Sequence, residues 1–235
     1  MLEQKKQNGK LEALRAAFPH TIPILVGFLF VGTSYGLLLR SQGFPLSYAL
    51  LQAIIIFAGS MQFVTVGLLL APFNPIHAFF LTIMVNARHL FYGVSMLEKY
   101  RRTGWMKPYL IYGLIDESFS LNCAVEIPDG VDPNWFYFFV TLLNHIYWIA
   151  GSCLGNLLGN ILRFDTTGID FVMTALFVVL FINQWKEAED HRPALAGVGF
   201  TVLSLLIFGS ESFMLPAMAA IIVFFLFMMR KEARA

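Results

Sequence analysis

The feature that most constrains this chain is a series of eight apolar stretches, each close to the length that crosses a bilayer. A helix needs about 20 apolar residues to span roughly 30 Å of hydrocarbon, because it rises about 1.5 Å per residue. The sequence therefore predicts an all-α polytopic integral membrane protein with about six to eight membrane segments. The stretches lie approximately at 21–40, 46–71, 76–97, 108–125, 135–162, 169–185, 194–209 and 212–229.

Composition supports this class and argues against others. Of the 235 residues, 57% are hydrophobic and 13% are charged, whereas soluble domains carry about 25% charged residues. A net charge of +1 argues against a nucleic-acid binder, which needs a basic face. No Walker A or GxGxxG motif and no Cys/His cluster occurs, and Cys123 and Cys153 lie in apolar segments. We therefore expect no cofactor and no metal site.

The domain organisation follows from the apolar stretches. Residues 1–20 are polar and carry several Lys and Arg, so we expect a retained cytoplasmic N-terminal tail. Residues 21–230 are predicted to form a single transmembrane domain, with halves at about 21–125 and 135–230.

The distribution of Lys and Arg tests how the segments cross, because these residues prefer the cytoplasmic side. If all eight segments cross, nine lie inside and six outside. If segments two and six enter and leave by one face, fourteen lie inside and only Arg40 outside, and the acidic loop of Glu126, Asp129 and Asp132 faces outward. Both termini are then cytoplasmic. Each half has three crossings plus a re-entrant segment, which is the inverted-repeat plan of many secondary transporters.

The centre of segment two carries the first candidate site. Gly59 and Ser60, with Gln62, lie deep in an apolar run where a helix could break. A helix start would attract a carboxylate and free carbonyls would attract an ammonium, so a zwitterion could use both. The plainer interpretation is a continuous helix in which Ser60 bonds back to a carbonyl one turn earlier.

Segments three and four carry the second candidate site, in which Asn86, Arg88 and His89 are predicted to bind the substrate. Arg88, between Asn86 and His89, is costly at membrane depth unless it has a partner or a wet cavity, and snorkelling is the alternative. Asp116 and Glu117 could pair with Arg88 or carry protons. Tyr112, Asp116 and Ser120 are spaced four residues apart, which predicts that they share one face of segment four. A static ion pair between two helices is the competing interpretation.

Weaker polar signals complete the list of candidates. Asn144 and His145 in segment five and Asn183 in segment six could face a cavity. Gly151, Gly155 and Gly159 recur every four residues, and we interpret them as a helix-packing face rather than a hinge.

Four motifs in this order resemble the AzlC family of large subunits of branched-chain amino acid exporters, also called YgaZ-type permeases. They are Phe57-Ala58-Gly59-Ser60-Met61-Gln62-Phe63, Asn86-Ala87-Arg88-His89-Leu90-Phe91-Tyr92, Asp116-Glu117-Ser118-Phe119, and the stretch from Gly168-Ile169-Asp170-Phe171 to Ala175-Leu176-Phe177. The resemblance extends from about Phe18 to Phe227. It implies export of Leu, Ile, Val and sometimes Met across a bacterial inner membrane, together with a small hydrophobic membrane subunit of the AzlD type. No enzymatic activity is implied.

Three function classes remain to be compared. The first is a secondary transporter coupled to a proton gradient through Asp116 or Glu117, since no nucleotide motif is present. The second is an intramembrane hydrolase that uses Ser60 and His89, which lacks a GxSxG turn. The third is a small-solute channel, which would need a continuous polar lining.

Overall fold

The computed structural model of the chain describes residues 2–161 and 190–213 and, among the others, residues 178, 181–182, 185–186, 216–217, 219–221 and 223–224. The side chains of residues 2–8 and 210–212 are outside this description. Every regular element among the described residues is a helix, which confirms the all-α prediction. The chain forms two compact units, Met1–Met173 and Thr174–Ala235.

The first unit holds most of the described helices. Their bounds are α1 Leu2–Ser41, α2 Leu46–Ile55, α3 Gly59–Leu70, α4 Pro75–Asn86, α5 Arg88–Met96, a short 3-10 helix Gly104–Met106, α6 Lys107–Tyr112, α7 Asp116–Ala124 and α8 Pro133–Ile161. In the second unit α9 spans Arg192–Ser212 and changes direction at Gly209 (φ 72°, ψ 173°). Among the described residues, the stretches Gly9–Ser41, Pro133–Ile161 and Arg192–Gly209 are long and apolar enough to cross a membrane.

Two long helices, α1 and α8, run side by side in the same direction. Near their starts, Lys10 Nζ lies 4.4 Å from the centroid of the Trp135 ring. Near their ends, Arg40 donates a hydrogen bond to the Asn160 side chain. We call the first of these the tail end of the unit and the second the far end. Because α1 and α8 are parallel, the loop that precedes α8 lies at the tail end.

Small residues let α1 and α8 approach each other closely. A Cβ added at Gly36 would lie 2.1 Å from Ser152 O, and one added at Gly155 would lie 2.0 Å from Thr33 O. Glycine is therefore required at both positions, since any larger side chain would overlap the facing backbone. The packing interpretation of the glycine repeat in segment five is confirmed.

Segment two is a hairpin of two helices, so the broken helix is present rather than the continuous one, and the break lies at Phe57 and Ala58, just before Gly59. Phe44 O, just before α2, accepts a hydrogen bond from Asn156, which places the start of α2 near the far end. Phe57, between the two helices, stacks on His145, about midway along α8. From there α3 runs back, since Phe63 packs on Tyr35 of α1. These contacts agree with a re-entrant path that enters and leaves at the far end.

Segment three crosses from the far end to the tail end as α4 and α5. The two helices meet at Ala87, which keeps helical angles while its N–H bonds Met84 O, one residue closer than in a regular α-helix. The crossing is therefore nearly continuous. Arg88 lies just after Ala87, where the backbone hydrogen bonding of the crossing changes.

Segment four differs from the prediction. Its helix ends at Tyr112 and a new one begins at Asp116, with Ile115 extended between them (φ −89°, ψ 173°). Lys99 Nζ, in the loop after α5, donates hydrogen bonds to Asn122 O and Cys123 O at 2.9 and 2.8 Å. The end of α7 therefore returns to the tail end, where α6 began. Segment four is a second hairpin rather than a crossing.

This second hairpin overturns two sequence-based expectations. Tyr112 does not share a helix face with Asp116 and Ser120, because the break at residues 113–115 separates them. The acidic loop of residues 126–132 does not lie opposite the 98–107 loop, because both are at the tail end. The sequence-based prediction misses the reversal because it treats segment four as one continuous helix, although its second half, Asp116–Ala124, carries two acids and several other polar residues.

The first unit thus repeats one plan in opposite directions. In the first part, the crossing helix α1 is followed by the α2–α3 hairpin at the far end. In the second part, the crossing formed by α4 and α5 is followed by the α6–α7 hairpin at the tail end. The predicted inverted repeat of halves 21–125 and 135–230 stays a prediction, because segment six lies mostly outside the described residues, as do the family motif at 168–177 and Asn183.

Candidate functional site

The tips of the two hairpins meet in the middle of the first unit. Phe57, at the tip of the α2–α3 hairpin, has a positive φ of 40° and its side chain is buried. A non-glycine residue in this region is uncommon and is held by its surroundings. Its ring stacks on His145 with centroids 4.2 Å apart and lies beside Tyr112 of the other hairpin. The Tyr112 hydroxyl donates directly to Ile54 O.

His145 fixes the end of α2 from the side of α8. Its Nε2 lies 3.2 Å from Ala53 O, and its Nδ1 lies 3.1 Å from the Tyr109 hydroxyl. Because a carbonyl can only accept, Nε2 carries the proton and Nδ1 accepts from the tyrosine. The carbonyls of Ala53 and Ile54 are therefore already satisfied. A substrate ammonium would therefore need an acceptor other than the carbonyls of Ala53 and Ile54.

Arg88 links the two hairpins on the side of the tips that lies opposite His145. Its Nη2 donates to Ser60 Oγ at 2.9 Å and lies 2.9 Å from Asp116 Oδ2. The Tyr92 hydroxyl, one helical turn after Arg88, donates to Asp116 Oδ1 at 2.5 Å. The Arg88 and Asp116 side chains are 29% and 31% exposed. The predicted pairing of Arg88 with an acid of segment four is present, and Asp116 rather than Glu117 makes the ion pair among the described residues.

Two helix starts lie beside this ion pair. The first turn of α3 contains Gly59 and Ser60, and the first turn of α7 contains Asp116 and Glu117. The N–H groups of a first turn have no partner within the helix, and they favour negative charge. The acids of α7 are therefore placed where the helix stabilises them, whereas α3 begins without an acidic residue.

The remaining predicted residues divide by location. Gln62 is fully buried and accepts a 2.6 Å hydrogen bond from Trp148 Nε1. Gly59 also adjoins this ring, since an added Cβ would lie 3.1 Å from it. Asn144 is buried and donates to Ser118 at 3.2 Å. Ser120 is exposed.

Asn86 and His89 lie on either side of Arg88, and the His89 ring packs edge-on against Tyr92, which binds Asp116. His89 Nδ1 lies 3.1 Å from Asn86 O, and Ser60 bonds Arg88 instead of His89. A Ser–His hydrolase needs the base on the nucleophile, and the described contacts do not supply that pair. Among the described residues there is also no group of three His, Cys, Asp or Glu side chains that could hold a metal ion.

Several site residues were not singled out from the sequence. Tyr92 could have been found from its spacing of four residues after Arg88, which places both on one helix face. Tyr109, Ser118 and Trp148 gave no such signal. Their neighbours come from distant parts of the chain, and aromatic or small polar residues are common in membrane helices.

Comparison with known proteins places these residues in a family. Residues 23–162 match the family model described as AzlC protein. The chain is 56% identical over 210 residues to the branched-chain amino acid transport protein AzlC of Bacillus subtilis, covering 89% of this chain and 83% of that one. It is 44% identical to an uncharacterized membrane protein of Haemophilus influenzae, over 94% of this chain and 91% of the other. It is 24% identical to the inner membrane protein YgaZ of Escherichia coli, over 76% of each chain. No solved structure matches.

Proposed function

Because this membrane protein belongs to the AzlC family, we propose that it is a secondary transporter that exports branched-chain amino acids. Its substrates would be Leu, Ile and Val, with Met as a further candidate. The Bacillus subtilis relative carries branched-chain amino acid transport in its name. The motifs at Phe57–Phe63, Asn86–Tyr92 and Asp116–Phe119 all fall within the matched region.

The observation that carries the proposal is the meeting of two hairpin tips beside the Arg88–Asp116 ion pair. Backbone that leaves the helix at membrane depth is tolerated only inside protein or beside a water-filled cavity. Discontinuous helices whose starts point at anionic substrate groups are a recurring binding site of secondary transporters. The tips at Phe57 and at residues 113–115 provide such backbone, one from each end of the unit.

The chemistry of the tips suits an aliphatic zwitterion. The start of α3 offers N–H groups to a carboxylate, while Asp116 and Glu117 offer carboxylates to an ammonium. Phe57, Met61 and Phe63 are buried and apolar. An apolar pocket distinguishes one methylene by only about 1–3 kcal/mol, so several aliphatic substrates are expected to compete.

Energy coupling, orientation and partner are part of the same proposal. A proton gradient would act through Asp116 or Glu117, which adjoin Arg88 in the middle of the unit.

The tail end carries Lys10, Lys99, Arg101 and Arg102, whereas Arg40 lies at the far end, so the tail end would face the cytoplasm of a bacterial inner membrane. A small AzlD-type membrane subunit would assemble with the chain.

One experiment tests the transport proposal. Labelled Leu, Val and Met are offered to three preparations of inverted vesicles. The first contains the chain together with its small subunit, the second contains the chain alone, and the third contains neither. Saturable uptake that needs the chain, and that rises with an imposed pH gradient, is expected. Uptake that is linear with concentration and insensitive to competing unlabelled Leu would instead support the channel alternative.

A further inference from the structure

A pair of glutamines lies on the side of the first hairpin that faces α1 and α8, away from Arg88. Gln52 is in the last turn of α2 and Gln62 is in the first turn of α3, so they flank the hairpin tip. Gln52 is 8% exposed and Gln62 is 0% exposed. Both side chains are therefore removed from solvent and from lipid.

Each glutamine oxygen is held by an aromatic donor. The Tyr35 hydroxyl of α1 donates to Gln52 Oε1 at 2.9 Å, and Trp148 Nε1 of α8 donates to Gln62 Oε1 at 2.6 Å. The Tyr35 and Trp148 rings are stacked at 6.1 Å. Because a Trp N–H can only donate, the orientation of the Gln62 amide is set: its oxygen faces Trp148 and its nitrogen faces elsewhere.

The side-chain nitrogens of both glutamines carry N–H groups that the described residues do not fully pair. Gln52 Nε2 and Gln62 Nε2 are buried and have no hydrogen-bond partner among the described residues. Gln62 also lies near the Tyr35 hydroxyl, but an amide nitrogen carries two N–H groups, and one hydroxyl oxygen cannot satisfy four donors. An unsatisfied buried donor is costly, and buried polar groups in folded proteins are nearly always paired. Two in one cluster leave room for an acceptor that the described residues do not supply.

We propose that Gln52 and Gln62 form the site that binds the carboxylate of the transported amino acid, with Tyr35 and Trp148 as positioning residues. This rests on the proposed transport function and deepens it. A carboxylate has two oxygens that accept several hydrogen bonds, which matches two amide groups beside the first-turn N–H groups of α3. The two amide groups are themselves neutral, so they hold the carboxylate by hydrogen bonds rather than by an ion pair.

The test replaces each donor by an acceptor of the same shape. Gln52→Glu and Gln62→Glu keep an oxygen for Tyr35 or Trp148 but present a carboxylate that repels the carboxylate of leucine. Gln42→Glu makes the same change at an exposed turn at the far end and serves as the matched control. Leucinamide, which has a neutral amide instead of the carboxylate, is used as a competitor.

The quantity to measure is the ratio of the KM for leucine to the inhibition constant for leucinamide in inverted vesicles. This ratio does not depend on how much folded protein each membrane contains. Hydrogen bonds to charged groups are worth about 1.5–3 kcal/mol, which corresponds to about 10- to 150-fold. We expect the ratio to rise at least about tenfold in both Glu variants and to stay at the wild-type value in Gln42→Glu.

An unchanged ratio in both Glu variants would overturn the proposal and would assign the unpaired donors to internal water. Gln52→Met and Gln62→Met remove the donors without adding a charge. If a Glu variant fails to insert, the Met variant at the same position is measured instead. The Met variants should raise the KM for leucine more than the inhibition constant for leucinamide. A wild-type protein that transports no leucine would contradict the proposed function itself, whereas wild-type transport with an unaltered ratio contradicts only the glutamine site.

Discussion

Arg88 Nη2 lies 2.9 Å from Asp116 Oδ2 and also donates to Ser60, so one guanidinium joins a crossing helix to the tips of two hairpins that enter from opposite ends. Arg88 and Asp116 are each about 30% exposed, which leaves their pairing sensitive to water and to a bound ligand. An ion pair in this position can hold the tips together and can also be divided between protein and substrate.

Replacing Asp116 by Asn is expected to abolish export while the protein still inserts into the membrane. Asn keeps the size of the side chain and a hydrogen bond with Tyr92, but it removes the charge that pairs with Arg88 and that would carry a proton or hold an ammonium. Leucine flux in vesicles, normalised to the inserted protein, measures the effect. Asp129→Asn, in the exposed acidic loop, is the matched control, and normal flux through Asp116→Asn would remove this carboxylate from the mechanism.

Tyr112→Phe is expected to loosen the contact between the hairpin tips. The substitution removes only the hydroxyl that donates to Ile54 O, and a typical hydrogen bond contributes about 0.5–1.5 kcal/mol net. Thermal unfolding in detergent should show a loss of stability of that order, together with a changed rate of leucine flux. Tyr48→Phe, at an exposed site in α2, should change neither. Equal behaviour of the two variants would argue that the tips are not coupled through Tyr112.

Gly36→Ala and Gly155→Ala are expected to destabilise the α1–α8 pair strongly. An added methyl would lie about 2 Å from backbone oxygen in each case, and backbone cannot move aside as a flexible side chain can. Overpacking typically costs about 1–3 kcal/mol, and more where the backbone must shift. Gly27→Ala, in the same helix α1 with open space around it, should be stable in the same thermal assay. If Gly36→Ala unfolds at the control temperature, the close approach of the two helices is incorrect.

Cysteine labelling from one side of the membrane should separate the two ends of the first unit. In a background of Cys123→Ala and Cys153→Ala, Arg101→Cys and Asp129→Cys should react with an impermeant maleimide from the same side. Gln42→Cys should react only from the opposite side. This pattern follows from the return of α7 to the end where α6 begins, as fixed by Lys99. Labelling of Asp129→Cys together with Gln42→Cys would mean that segment four crosses after all.

Much of the candidate site could be predicted because membrane depth makes polar residues conspicuous. Ser60, Arg88 and Asp116 are separated by 28 residues each along the chain, yet the cost of an isolated charge in lipid predicts that Arg88 needs a partner. The choice of Asp116 over Glu117, and the role of Ser60 as a second acceptor, depend on the angles at which three helices meet. Those angles are not encoded in any one segment.

The amino-acid sequence by itself determined that this is an all-helical membrane protein and that Arg88 needs a partner, because apolar length and the cost of a charge in lipid are local properties. Only the tertiary structure decided that segment four turns back at residues 113–115, that α1 and α8 run parallel and that Gln52 and Gln62 share a buried cluster. The physical reason is that lipid solvates every apolar helix alike, whichever way it runs. Direction and neighbours are set by close packing, such as Gly36 against Gly155, and by hydrogen bonds between residues that are far apart in the chain.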